Sequence, residues 1–133
     1  MGKNILIIDD SEVVLAMAKD VLEEAGYQVD TATNGIEANR YIFSRNKPNL
    51  IIMDIMMPML DGNKKAKILK ENELSRDIPI LLLSSKSDLE MRSLARESGA
   101  DGYILKPFSP VQMTSMVRKC LQATGSMAAL SAQ

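Results

Sequence analysis

The sequence predicts an α/β fold: a doubly wound, five-stranded parallel sheet carrying five helices. Three observations predict it. Five short apolar runs alternate with five helical patterns along 133 residues, and such alternation builds a parallel sheet with right-handed crossovers. Three of the runs are continuously apolar, as strands covered on both faces are. Aspartates, a serine and a lysine stand directly after the runs, where sites form in sheets of this kind.

The first run is Ile5-Leu6-Ile7-Ile8, followed at once by Asp9 and Asp10. Val14, Met17, Ala18, Val21, Leu22 and Ala25 then recur at three- and four-residue steps, with Lys19, Asp20, Glu23 and Glu24 between them. That spacing is an amphipathic helix, capped by Ser11 and stopped at Gly26. The second run, Tyr27-Gln28-Val29-Asp30-Thr31, alternates as an edge strand does. A second helix runs from about Ile36 to Phe43, between Asn34-Gly35 and Pro48. The third run, Leu50-Ile51-Ile52-Met53, leads into Asp54. A third helix, about Lys64 to Glu71, precedes Pro79. The fourth run, Ile80-Leu81-Leu82-Leu83, ends on Ser84, and a fourth helix from about Leu89 to Ser98 stops at Gly99. The fifth run, Gly102-Tyr103-Ile104-Leu105, ends on Lys106. A fifth helix starts at Pro110, which a first helical turn accommodates, and carries Met113, Met116, Val117 and Leu121. The expected organisation is one domain over residues 1–121 and an uncharged tail or linker over 122–133.

Composition narrows the function. With 46% apolar and 25% charged residues, a chain of this size buries roughly two-thirds of its unfolded surface and needs no staples. Sixteen basic against seventeen acidic residues give a net charge of −1. This argues against bulk electrostatic binding to nucleic acid or an anionic membrane. There is no apolar run of transmembrane length, and the start of the chain lacks the pattern of a signal peptide. The single cysteine, Cys120, excludes an internal disulfide and fits a reducing, cytoplasmic compartment. The absence of histidine excludes histidine-based catalysis and the commonest zinc sites.

The acidic residues carry the most information. Asp9 and Asp10 end the first strand and Asp54 the third. If these strands are neighbours, the three carboxylates converge on one sheet edge. Their charges repel unless a cation joins them, and their hard oxygens suit Mg²⁺ with retained waters. Ser84 and Lys106, at two further strand ends, add a hydroxyl and an ammonium, a point charge suited to a phosphoryl oxygen. The natural ligand of such a set is a phosphoryl group bridged by a divalent ion.

At this point the chain resembles a receiver domain of the two-component response-regulator family. The residues that carry the resemblance lie between about 3 and 121. They are Ile7-Ile8-Asp9-Asp10, Leu50 through Asp54 to Pro58, Asp61-Gly62, Leu82-Leu83-Ser84-Ser85, and Gly99 through Lys106-Pro107 to Phe108. The resemblance implies a flavodoxin-like sheet of strand order 2-1-3-4-5. It implies that Asp54 is the phosphoacceptor, taking a phosphoryl group from the phosphohistidine of a sensor histidine kinase or phosphotransfer protein. Asp10 and Asp54 would ligate Mg²⁺ directly, Asp9 directly or through water, and Met56 through its backbone carbonyl. Ser84 and Lys106 would bind phosphoryl oxygens. The Lys106-Pro107 bond would be cis and aim the lysine inward. Ser84 moving toward the phosphoryl group, and Tyr103 turning inward, would switch the partner preference of the face made by the fourth helix, fifth strand and fifth helix. The domain would turn over no separate substrate and would bind neither nucleic acid nor membrane directly.

Some features depart from the family pattern. Asn63-Lys64-Lys65-Ala66-Lys67 is polar where the first turn of the third helix is commonly apolar. Either that helix starts later, or the surface is specialised. Lysines 64, 65, 67 and 70 read as a solvated face or an acidic-partner patch. Met56 and Lys86 stand two residues past Asp54 and Ser84, where the family controls water access to the acyl phosphate. Met17, Met53, Met113 and Met116 read as core filler, Met57 and Met59 as cover for the site loop, and Cys120 as a packed thiol. A Mg²⁺-dependent phosphatase of haloacid-dehalogenase type would place a second acid where Met56 stands. A flavin binder would need aromatics that are absent and would meet repulsion from Asp9-Asp10. A pseudo-receiver would not need the complete acid, hydroxyl and lysine set.

Overall fold

The computed structural model describes residues 3–58 and 60–131, without the side chains of residue 60 and of residues 124–131. The five apolar runs form β1 (Asn4–Ile8), β2 (Gln28–Ala32), β3 (Leu50–Asp54), β6 (Ile80–Ser84) and β7 (Gly102–Leu105). Between β3 and β6 the two-residue strands β4 (Met56–Met57) and β5 (Leu60–Asp61) pair antiparallel in a small ladder of their own. The main sheet has the order β2-β1-β3-β6-β7, all neighbours parallel. Counting only its own strands, this is the expected 2-1-3-4-5.

Five helices cover the two faces: α1 (Glu12–Glu24), α2 (Gly35–Ile42), α3 (Gly62–Glu71), α4 (Asp88–Ser98) and α5 (Pro110–Ser131). The alternation of side chains along each strand splits the core in two. Ile5, Ile7, Leu50, Ile52, Leu81 and Leu83 pack with α1 and α5. Leu6, Ile8, Ile51, Met53, Ile80 and Leu82 pack with α2, α3 and α4. Every residue of β3 and β6 is buried, which is why those strands lack a polar alternation.

Local signals set the helix ends. Ser11, Asn34, Asp61 and Ser87 accept from the N–H of Val14, Glu37, Lys64 and Glu90, capping α1 to α4. Gly99 closes α4 in the left-handed region at φ 77°, and Gly26 follows α1 at φ 99°.

The structure differs from the expectation in three places. First, Met17 is 51% exposed rather than core, and Leu15 is buried instead. At 100° per residue, Leu15, Ala18 and Leu22 share one face, and Met17 lies about 130° and Val13 about 170° from its centre. Second, β2 starts and ends one residue later than the run Tyr27–Thr31, with Ala32 as its last buried position. Third, α3 does not start late: Asp61 caps it and Gly62 is its first residue, so Lys64, Lys65 and Lys67 are on regular helix. α5 itself runs on to Ser131, through an alanine-rich stretch with no proline to stop it. Residues 132–133 of the expected tail, and Met59, lie outside the described residues. Among the described residues no helix is long and apolar enough to cross a membrane.

Candidate functional site

The parallel register aligns the carboxyl ends of the central strands. Ile8 is opposite Met53, Asp54 opposite Leu83, and Ser84 opposite Leu105. The next residues along, Asp9 and Lys106, therefore emerge at the same rim as Asp54 and Ser84. Sequence reasoning placed these groups at strand ends, and the register brings them together.

Asp9 and Asp54 are almost fully buried at 0% and 4% exposure, whereas Asp10 faces solvent. Each buried carboxylate uses one oxygen to hold the backbone of its own loop. Asp9 Oδ1 accepts from Ser11 N–H at 2.9 Å, and Asp54 Oδ1 from Met56 N–H at 2.9 Å. Their second oxygens share one cation. Lys106 Nζ lies 2.9 Å from Asp9 Oδ2 and 3.1 Å from Asp54 Oδ2. The contact with Asp54 is a directed hydrogen bond. The contact with Asp9 is an ion pair whose angle does not make one, leaving Asp9 Oδ2 buried without a hydrogen-bond donor.

Lys106 itself is pulled two ways. Burial opposes its charge, but the close contacts with Asp9 and Asp54 and their negative charges outweigh it and raise its pKa above the ordinary lysine value. The Lys106–Pro107 peptide is cis, as the resemblance implied.

One lysine does not balance this cluster. Carboxylate oxygens of Asp9, Asp10 and Asp54 lie within 4.8 Å of one another. Three acids against one ammonium leave surplus negative charge, and Asp9 Oδ2 is buried with an ion pair but no directed hydrogen bond. Both features fit a hard divalent cation bound by oxygen ligands. Asp9, Asp10 and Asp54 are the residues positioned to hold it. Met56 is 58% exposed in β4, its N–H already committed to Asp54.

Ser84 is buried at the end of β6, and its Oγ accepts from Lys86 N–H at 3.2 Å. Lys86 Nζ lies 3.7 Å from Glu90, one helical turn along. Tyr103 is half-buried on β7 and donates its hydroxyl to Asp88 in the first turn of α4. Asp88 also pairs with Arg92 at 3.2 Å. Met57 is buried among the residues packed under α2, α3 and α4, while Met53 and Met113 are fully buried as expected. Cys120 is buried, and that burial, reinforced by the charge of Asp101, pushes its thiol pKa up.

Gly62 is a positioning residue that the sequence reading quoted without giving it a role. A Cβ built there would meet Asp54 O and Ile55 Cα at 2.5 Å. The start of α3 thus lies against the backbone of the Asp54 loop, and Gly62 N–H donates to Ile55 O at 3.3 Å. The available signal was a glycine directly after a capping aspartate, which marks a close backbone approach.

Comparison with known proteins agrees with this arrangement. Residues 5–118 match the family described as response regulator receiver domain. The phosphate regulon transcriptional regulatory protein PhoB of Pseudomonas aeruginosa is 41% identical over 125 residues, 94% of this chain and 54% of PhoB. A crystal structure of a putative response regulator from Chloroflexus aurantiacus superposes with a TM-score of 0.85 at 34% identity, covering 92% of this chain and 99% of that one. The receiver domain of the sensor histidine kinase PA1611 from Pseudomonas aeruginosa was solved with a magnesium ion coordinated in its active-site cleft. It superposes with a TM-score of 0.81 at 26% identity, over 92% of this chain and 99% of that domain. The chain spans about half the length of the first curated relatives it matches. By the family match and by these likenesses, it belongs to the response regulator receiver domains of two-component systems.

Proposed function

We propose that this receiver accepts a phosphoryl group on Asp54 from the phosphohistidine of a sensor histidine kinase or phosphotransfer protein, with Mg²⁺ held by Asp9, Asp10, Asp54 and the Met56 carbonyl. One observation carries the reading: three carboxylates lie within 4.8 Å of one another, and the two buried ones share a single lysine. A cluster built only for stability would be closed by its own partners.

The steps on this chain's residues follow from that geometry. Asp54 Oδ2 is the attacking atom: Oδ1 is tied to its own loop by Met56 N–H, whereas Oδ2 meets the Lys106 ammonium, which can turn to the incoming group. A P–O bond to Asp54 forms as the P–N bond to the donor imidazole breaks, and the imidazole nitrogen keeps the electron pair. Lys106, already beside Asp54 Oδ2, pairs with a phosphoryl oxygen as charge moves onto the transferring group. Ser84, whose Oγ accepts from Lys86 N–H, donates its hydroxyl proton to a second phosphoryl oxygen. A metal held by Asp9, Asp10, Asp54 and the Met56 carbonyl would offset the charge of the acids and of the incoming group.

Output uses Tyr103. Its hydroxyl is held outward by Asp88, so inward rotation has to break that bond. The groove beside it, about 720 Å³, is lined by Tyr103, Gln112, Met116 and Lys119 among others. Its shape depends on that rotation. The domain serves as a cytoplasmic switch without turnover of a separate substrate, contacting neither nucleic acid nor membrane itself.

Intact-mass measurement after incubation with acetyl phosphate tests the reading. One phosphoryl group is expected with Mg²⁺ present, and none with a chelator or in Asp54→Asn. Normal labelling in either control overturns it.

A further inference from the structure

We propose that the seam between α2 and α3 is a docking site for an acidic amphipathic helix of a partner protein. The two helices lie side by side on one face of the sheet, joined by Lys65 Nζ donating to Asn39 Oδ1 at 2.8 Å. The positions beside that bond follow from helix geometry. On α2, Ala38 and Ile42 point into the core. At 100° per residue, Ile36 and Phe43 fall between Asn39 and the outer face. On α3, Gly62, Ala66 and Leu69 are buried, and Lys64 and Ile68 fall between Lys65 and the outer face. Each helix therefore turns an aliphatic or aromatic residue toward the same seam. These residues remain in solvent: Ile36 is 79% exposed, Ile68 63% and Phe43 41%. An apolar strip between two helices is the shape that receives a third.

Charge selects the occupant. The two helices carry five cations (Arg40, Lys64, Lys65, Lys67 and Lys70) against Glu37 and Glu71, although the whole chain has a net charge of −1. Lys70, on the far flank of α3, is neutralised by Asp101 at 2.8 Å. Arg40, Lys64, Lys65 and Lys67 form no ion pair among the described residues. Lys65 is the telling case. It is partly buried against a neutral amide, and burial lowers its pKa without a carboxylate to offset the cost. A helix with apolar residues along one stripe and carboxylates beside it would fill the strip and supply those counter-charges. Phosphate backbones would match the cations but leave Ile36, Phe43 and Ile68 uncovered.

The probe is a synthetic peptide with leucines at helical spacing and glutamates at the flanking positions. Its control is a scrambled peptide of the same composition. Titrated into the ¹⁵N-labelled chain, the helical peptide should shift amide signals of residues 35–43 and 62–71. Affinity should fall about tenfold in the Arg40→Glu, Lys64→Glu double variant. Both positions are exposed and outside the phosphoacceptor machinery, so acetyl phosphate labelling of Asp54 should be unchanged and should report intact folding. Equal binding of the scrambled peptide, shifts confined to the groove beside Tyr103, or undiminished affinity in the double variant would overturn the proposal. So would tighter binding of a single-stranded oligonucleotide at the same residues. Self-association of the chain alone, seen by sedimentation and abolished by the double variant, would instead assign the seam to a second copy.

Discussion

Two lysines of this fold each lie beside an aspartate, yet they do different work. Lys70 on α3 pairs with Asp101 at 2.8 Å and also donates to Ile78 O at 2.9 Å. Asp101 in turn accepts the N–H of Ile80 at the start of β6. One cation meets one anion, and the remaining polar atoms are spent on backbone. Lys106 faces two buried carboxylates with a third nearby, and one oxygen of that set has no donor. The closed arrangement ties α3 to the β6 and β7 ends. The open one holds charge in reserve for a ligand. Charge balance, rather than the presence of a buried ion pair, separates the structural cluster from the functional one.

The largest expected effect tests the open cluster. Lys106→Met should slow labelling of Asp54 by acetyl phosphate about a hundredfold or more, because one charged donor to the transferring group is gone. Lys70→Met should leave that rate unchanged. Quench-flow or stopped labelling followed by intact mass checks both, and a comparable loss in the Lys70 variant would erase the distinction.

A smaller effect is expected in the closed cluster. Asp101→Ala removes an acceptor from a fully buried residue's N–H and leaves Lys70 without its anion. The cost should be about 1–3 kcal/mol, read as a drop in the urea midpoint, with the labelling rate kept. A variant as stable as the parent would show that solvent replaces the staple.

The smallest effect concerns pH. Lys106 has a raised folded-state pKa, so its contribution to stability is complete below the ordinary lysine value of about 10.4. It is lost as pH rises through the higher folded value. The stability difference between the parent and Lys106→Met should therefore be flat up to about pH 10 and shrink above it. The group is partly exposed, and solvent screening keeps the difference small. A difference that shrinks near neutral pH would remove the ammonium from the cluster.

Most of the fold could be read in advance because each element carries its own local signal. The continuous apolar runs at Leu50 and Ile80 mark central strands, and Ser11, Gly26 and Gly99 mark helix ends. Errors arose where two readings of a period compete. Met17 satisfies a three- and four-residue step but lies off the buried stripe of α1, and only docking against the sheet selects Leu15 instead. The candidate site was legible because Asp9, Asp10, Asp54, Ser84 and Lys106 all abut apolar runs, which places them at strand ends before any coordinates exist. Gly62 was harder, because a glycine's role depends on what a side chain would strike, and the backbone of Asp54 lies eight residues away in sequence.

Residue order alone thus settled the α/β alternation and which polar groups stand at the strand ends, since those follow from periodicity and adjacency along the chain. Register and packing decided the rest. They determined that Asp9 and Asp54 share one lysine while Asp10 stays in solvent, that Lys70 is neutralised while Lys65 is not, and that Ile36, Phe43 and Ile68 stay exposed. Those properties depend on distances between segments far apart in sequence, and only the folded sheet brings them within reach of one another.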